Sequence, residues 1–249
     1  MKTQNLLPVR KDLSKMPKVG DIIEYDTMCR VENSKLQRGM NFRLNNSTSV
    51  VLMSTVHGAP YQDSIQNEGR ILIYEGHDVP RRNGNIDPKK LDQPMFTESG
   101  SLTENGKFFN AAQKYKNSKR SPELIRVYEK LKPGIWVYNG IFRLTSAWTE
   151  KSEERMVFKF RLELLDEYKN DNKQKNIKTD FSRFSRRIPT SVKVEVWNRD
   201  KGRCAICGSE NDLHFDHIIP YSKGGSSTTA KNVQILCSKC NYSKNDKIM

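Results

Sequence analysis

The chain has 249 residues, 35% hydrophobic and 29% charged, with a formal net charge of +14 and an isoelectric point near 9.5. That length holds one large domain or two modest ones, and the apolar content argues against disorder throughout. The basic excess points to a polyanionic partner, nucleic acid before an acidic membrane surface, although solubility alone explains a modest surplus of lysine.

Met1 to Leu13 lacks the apolar core of a secretory signal, and no later run approaches the length of a membrane span. A cytoplasmic protein with no membrane contact is expected. From Val50 to Leu164 the pattern is one of short strands, with β-branched and apolar runs at Ser49 to Val56 and Arg70 to Tyr74. Ile135 to Trp148 holds two such runs around Asn139-Gly140, which predicts a hairpin turn there. Met156, Phe158, Phe160, Leu162 and Leu164 alternate with more polar residues, the period of a strand with one buried face.

Lys169 to Arg187 is rich in lysine and arginine and poor in aliphatic residues. It reads as a basic linker, either an ordinary solvated connector or a cationic tether lying along phosphates. Thr190 follows Pro189 and can cap a helix with Val192, Val196 and Trp197 on one side, ended by Gly202. The expected division is therefore residues 1–168, a linker at 169–188, and a compact domain at 189–249.

Four of the five cysteines form two pairs, Cys204-x-x-Cys207 and Cys237-x-x-Cys240, and Cys29 is left over. Two knuckles of two thiolates satisfy the tetrahedral demand of a structural Zn2+, and fit a reducing compartment better than a disulfide framework. The 29 residues between the knuckles exceed the usual zinc-ribbon spacing. They include Leu213-His214-Phe215-Asp216-His217-Ile218-Ile219-Pro220, Lys223-Gly224-Gly225 and Asn232, with Asn241 and Lys244 beyond the second knuckle. A structural zinc has no need of these.

On those residues, Trp197 to Asn245 resembles an HNH endonuclease of the ββα-metal type, with zinc knuckles bracketing the active site. Phosphodiester hydrolysis needs a deprotonated water in line with the scissile bond and a cation for the charge that grows on the phosphate. The resemblance implies His217 as general base, Asp216 as metal ligand, and Asn232 as the residue that bonds the inter-strand loop and holds His217 in position. Asn241 falls where many members carry histidine, and Asn245, one helical turn on, is expected on the same face. Such an all-oxygen set favours Mg2+ or Mn2+ over a soft transition metal. Lys244 is expected to contact phosphate, with Lys223 a weaker candidate, and no motif position claims His214.

In the first two thirds, Tyr61-Gln62-Asp63, Tyr74-Glu75-Gly76-His77-Asp78, Leu102-Thr103-Glu104-Asn105-Gly106, Ile125 to Tyr128 and Trp136 to Gly140 follow one another in an order that resembles an SRA (YDG) domain. The signature Tyr-Asp-Gly stands here as Tyr138-Asn139-Gly140. The resemblance implies a PUA-like β barrel that flips a modified cytosine into a pocket. Tyr61 and Tyr74 would stack on the base, Asp63 would accept from its amino group, and Glu75 and His77 would line the pocket or its mouth. Taken singly, tyrosines in β domains more often serve the core.

The expected fold class is thus α+β, a mainly β domain followed by a small zinc-stabilised ββα-metal domain. The expected function is a modification-dependent DNA endonuclease acting on double-stranded DNA that carries 5-methyl- or 5-hydroxymethylcytosine, working as a homodimer because one HNH site cuts one strand. The alternatives are a nicking or homing enzyme reading unmodified DNA, and a modified-DNA-binding protein with an inactive HNH remnant.

Overall fold

The computed structural model describes residues 16–80, 87–165, 187–245 and 247–248. Most of the basic linker lies outside the described residues. Eight strands form one mixed sheet: β1 (Ile22–Glu24), β2 (Met40–Asn41), β3 (Ser49–Met53), β4 (Ser64–Gln66), β5 (Ile71–Glu75), β6 (Leu124–Lys132), β7 (Ile135–Ser152) and β8 (Arg155–Leu164). Their order is β2-β3-β6-β7-β8-β5-β4, with β1 added on β7; β3 and β6 run parallel and every other pair antiparallel. Among the described residues β2 and β4 end this path of hydrogen-bonded strands.

The expected hairpin at Asn139-Gly140 is corrected. β7 runs through both residues without turning, and the β6–β7 register shifts there, with Val127 opposite Gly140 and Tyr128 opposite Tyr138. Asn139 is the extra residue of a bulge, and Gly140 takes a left-handed φ of 98°. The chain turns instead at Pro133-Gly134 and at Glu153-Glu154, where Gly134 and Glu153 carry positive φ. In β8, Phe158, Phe160 and Leu162 are buried as expected, but Val157 and Lys159 are buried too and Met156 is exposed, so the expected single buried face is corrected to burial on both faces in the middle of the strand.

Helix α1 (Tyr25–Val31) follows β1, and α2 (Glu104–Lys116) packs on β7. The sequence reading holds no helix at α2. Thr103 caps it, its hydroxyl accepting from the Gly106 amide at 3.2 Å. Phe108 then meets Phe42 and Phe160 edge-on in a core with Val51, Leu72, Phe142 and Leu144.

Beyond residue 187 come α3 (Thr190–Asp200), the antiparallel pair β9 (Leu213–His217) and β10 (Val233–Cys237), and α4 (Ser238–Lys244). Thr190 is the first helical residue and Pro189 the cap, a shift of one from expectation. Val192 and Val196 are buried, and the helix ends where Lys201 and Gly202 adopt left-handed conformations. This small unit does not have a core to itself. Leu131 and Val137 of the large sheet lie in the same apolar cluster as Val192, Val196, Leu213, Phe215, Val233 and Ile235. Among the described residues no helix is long and apolar enough to cross a membrane.

Candidate functional site

Two sites stand on this frame. The first is built by the β9–β10 pair and α4. Sγ atoms of Cys204, Cys207, Cys237 and Cys240 all lie within 4.8 Å of one another, and Cys207 and Cys237 are 3.7 Å apart. Zinc–sulfur bonds of about 2.3 Å in a tetrahedron require sulfurs about 3.8 Å apart, so the four side chains fit a zinc ion. Burial opposes ionisation of Cys204, but the amides of Cys237, Cys207 and Ile206 outweigh it and bring the thiol down to about 6. Cys240, hydrogen-bonded to Cys207, is pushed up to about 12. Among the described residues this is the one cluster of three or more His, Cys, Asp or Glu side chains able to hold a metal.

Asp216 and His217 are neighbours on β9, so their side chains leave opposite faces of the pair. His217 Nε2 is 2.8 Å from the hydroxyl of Ser227, which is buried. The loop between the strands is tied by Asn232: its Oδ1 accepts from the Ile219 amide at 2.8 Å, and its Nδ2 donates to the carbonyls of Ile219 and Ser226 at 3.2 and 3.0 Å. The main chain comes so close that a Cβ on Gly225 would lie 1.8 Å from the Ile219 oxygen. Only glycine fits there.

Asp216 accepts from Gln234 Nε2 at 3.4 Å and pairs with Lys244 Nζ at 3.0 Å. Lys244 also donates to the His217 carbonyl at 2.7 Å, and its side chain is 1% exposed. The expectation of a phosphate contact by Lys244 is therefore corrected: the ammonium points inward, clamping Asp216 and the backbone of His217 together. Lys223 is exposed. Asn241 lies on α4, but Asn245 does not share its face; it follows the helix, exposed, with φ 47° and ψ −132°. His214 is structural, its Nδ1 2.6 Å from Asp21 Oδ1 and its Nε2 2.7 Å from the Ser238 hydroxyl.

The second site is a cleft of about 1990 Å³, lined mainly by the large domain, with Gly39, Ser54, Tyr61, Asp63, Tyr74 and His77 in its wall, and bordered by Thr190, Ser191 and Val194 of α3. Tyr61 stacks on His77 with centroids 5.6 Å apart and planes at 25°, and the Lys89 ammonium lies 4.0 Å from the tyrosine centroid. Tyr74 is buried, with its hydroxyl 3.2 Å from His77 Nε2. Burial pushes the His77 imidazole down to about 4, so it is neutral at neutral pH. Gly39 makes room for the pair, since a Cβ there would stand 2.6 Å from the Tyr74 hydroxyl and 2.8 Å from His77 Nε2.

Asp63 accepts from the amides of Ser54 and Glu75 at 2.9 and 3.0 Å, and burial pushes its carboxyl up to about 7. The expectation for Glu75 is corrected. It does not line the cleft; it is buried on the other face, pairing with Lys159 at 3.0 Å and Arg155 at 3.3 Å.

Several residues escape the sequence reading. Asn105 holds His77 by its backbone, accepting from its amide and donating to its carbonyl, both at 2.8 Å. The Ser54 hydroxyl is buried in the cleft wall beside Asp63 and has no hydrogen-bond partner among the described residues. Asn105 stands in the quoted Leu102-to-Gly106 stretch, so a signal was present; for Ser54, Gly39 and Ser227 the sequence offers none.

A mixed-sheet domain with an aromatic, carboxyl-bearing cleft, joined to a four-cysteine ββα unit carrying Asp-His, defines a two-part protein. The chain belongs to the SAD/SRA domain family, whose model matches residues 15–168, and an HNH endonuclease domain follows at residues 204–247. Among solved structures, it is similar to the SUVH5 SRA domain in complex with hemi-methylated CG DNA, at 22% identity and a TM-score of 0.41 over 60% of this chain and 89% of that one. The same domain bound to fully hydroxymethylated CG DNA matches at 22% identity and a TM-score of 0.40, covering 59% and 89%. KRYPTONITE in complex with mCHH DNA, a histone H3 peptide and SAH matches at 19% and 0.41, covering 64% of this chain and 34% of that one. No curated protein is similar enough to count as a match.

Proposed function

We propose that the protein is a modification-dependent DNA endonuclease: the large domain flips a 5-modified cytosine into the cleft, and the HNH domain hydrolyses a phosphodiester bond nearby. The observation that carries this is the joining, in one chain, of an SAD/SRA domain with an HNH unit in which Asn232 ties the loop behind His217 and Lys244 pairs with Asp216. Tyr61 offers a partly exposed ring to the base, and Asp63 accepts from the cytosine amino group. The base edge, or a 5-hydroxymethyl group on it, would give the Ser54 hydroxyl the hydrogen-bond partner it lacks among the described residues.

At the nuclease site His217 takes the proton of the attacking water, its ring oriented by Ser227, while Asn232 fixes the loop behind it. Lys244 keeps Asp216 and the His217 backbone in register. Asp216 and Asn241 would hold a hard divalent ion, Mg2+ or Mn2+, that takes most of its ligands from water and phosphate. When bound, the ion neutralises charge on the scissile phosphate. Donors of this kind, one carboxylate and a neutral amide, suit such an ion. A double-strand break calls for two sites, which a two-fold homodimer supplies.

The test is a digest of otherwise identical duplexes differing only in the cytosine C5 substituent, with Mg2+ or Mn2+ present. Cleavage confined to modified duplexes is expected. Equal cleavage of the unmodified duplex removes the reader's role, and modified-DNA binding with no nicking in either metal favours an inactive HNH remnant.

The Asp63 carboxyl, near 7 in the free protein, gives a second test. A charged acceptor makes a stronger bond to the amino group than a neutral one. The preference for 5-methylcytosine over thymine at the target position, which has the same C5 methyl but a carbonyl in place of the amino group, is therefore expected to grow between about pH 6 and about pH 8 as Asp63 ionises. Taking the ratio of the two affinities cancels the phosphate contacts, and a ratio that is flat across this range takes Asp63 out of base recognition. In the DNA-free protein the sign is opposite. The folded state keeps the proton past the ordinary carboxyl value of 3.8, so Asp63 costs stability as pH rises from there to about 7.

A further inference from the structure

The signature Tyr138-Asn139-Gly140 does not line the cleft. It faces the nuclease unit. Asn139, 4% exposed, donates from Nδ2 to Glu129 Oε2 at 2.8 Å and accepts at Oδ1 from Lys193 Nζ at 3.1 Å. Lys193, on α3, also pairs with Glu129 at 2.8 Å, and Thr190, at the start of the same helix, donates to Glu129. Burial favours the neutral form of Glu129, but Lys193, Thr190 and Asn139 outweigh it and hold the carboxyl below its ordinary range.

The backbone of the signature is engaged as well. Arg187, shortly before α3, donates to the Asn139 carbonyl, and its guanidinium lies 4.8 Å from the Phe142 centroid. Tyr138 exchanges hydrogen bonds with Gly20 and Asp21, at 2.9 and 3.0 Å. Those two residues in turn reach β9, Gly20 accepting from the Phe215 amide at 3.4 Å and Asp21 meeting His214. Val137, one residue earlier, lies in the apolar cluster shared with Val192, Val196 and Phe215.

We propose that Tyr138-Asn139-Gly140 is the seat on which the nuclease unit docks, and that Asn139 thereby fixes a single offset between the base cleft and His217. Cleavage then falls at one distance from the modified base; this consequence rests on the function proposed above. The position calls for an amide. Its nitrogen meets a carboxylate and its oxygen meets an ammonium, which asparagine satisfies at once. An aspartate would set a second carboxylate 2.8 Å from Glu129 with Lys193 as the shared cation, and uncompensated buried charge is costly.

The test uses the full chain and two variants, Asn139→Asp and the double variant Glu129→Gln/Asn139→Asp, which returns the cluster to one carboxylate and one ammonium. Both are compared with the parent at about pH 8, where a carboxyl with an ordinary pKa is ionised. On a duplex with one modified cytosine, the parent is expected to cut at one offset. Asn139→Asp is expected to bind that duplex as the parent does and to lose the single offset, and the double variant to recover it. An unchanged cut map in Asn139→Asp, or a lost one that the double variant leaves lost, overturns the proposal. Amide exchange in α3 and β9 without DNA separates docking from the functional reading. Faster exchange in Asn139→Asp, reversed in the double variant, supports the seat even if the parent ignores cytosine modification; equal exchange in all three chains overturns it.

Discussion

His217→Ala is expected to lower cleavage of modified DNA by about 10²–10⁴-fold, the usual contribution of a positioned general base, and to leave affinity for the same duplex unchanged. The expectation rests on separation within the molecule. His217 ends β9, where Ser227 orients its ring and Asn232 fixes the loop, whereas Tyr61, Asp63 and His77 belong to the cleft of the other domain. Single-turnover cleavage and equilibrium binding on one labelled duplex measure both quantities. Cleavage at the parent rate would remove His217 as the base, and a parallel loss of binding would show that the variant has damaged more than chemistry.

Zinc removal is expected to have the larger structural effect. Structural zinc sites contribute apparent binding energies of about 10–16 kcal/mol in small domains, far more than two strands of five residues and a helix of seven can supply by packing. The Cys237 thiolate joins the end of β10 to the start of α4, where its Sγ accepts from the Cys240 amide at 3.5 Å. Chelation, or Cys237→Ser, should abolish cleavage and open residues 204–245 to protease. Binding of modified DNA is expected to persist, because the cleft rests on the separate core around Phe108, Phe142 and Phe160. Zinc content by elemental analysis together with limited proteolysis checks this; a metal-free chain that resists protease as well as the parent would remove the zinc from the fold's support.

Much of the nuclease unit can be read from residue types because its signals are local. Thiolate pairs, Asp-His on one strand and an asparagine before the next strand are short-range patterns tied to coordination and hydrogen-bond chemistry. Lys244 is partly legible too: three residues after Asn241 on one helix, it had to lie near the same face, but its inward course depends on Asp216 arriving from another element. Glu75 was separable in principle, since strand alternation sends it to the face opposite Tyr74. The Asn139-Gly140 dipeptide misleads for a definite reason. Its local preference is a tight turn, yet β6 pairs with β7 on both sides of the dipeptide, at Tyr138 and at Gly140, so tertiary pairing turns the same conformational freedom into a bulge. α2 was hidden by its polarity, since Glu104, Asn105, Lys107, Asn110 and Gln113 dilute the apolar stripe that Phe108 and Ala112 provide.

The apolar cluster that joins Leu131 and Val137 to Val192, Phe215 and Ile235 also limits what recombination can do with this protein. Transplanting the C-terminal unit onto a foreign partner would strip Val192, Val196 and Phe215 of their cover and expose a greasy surface to solvent. A viable chimera would have to import the matching half of that contact, so the natural joint for grafting lies inside β6 and β7 and not in the basic segment that precedes Arg187.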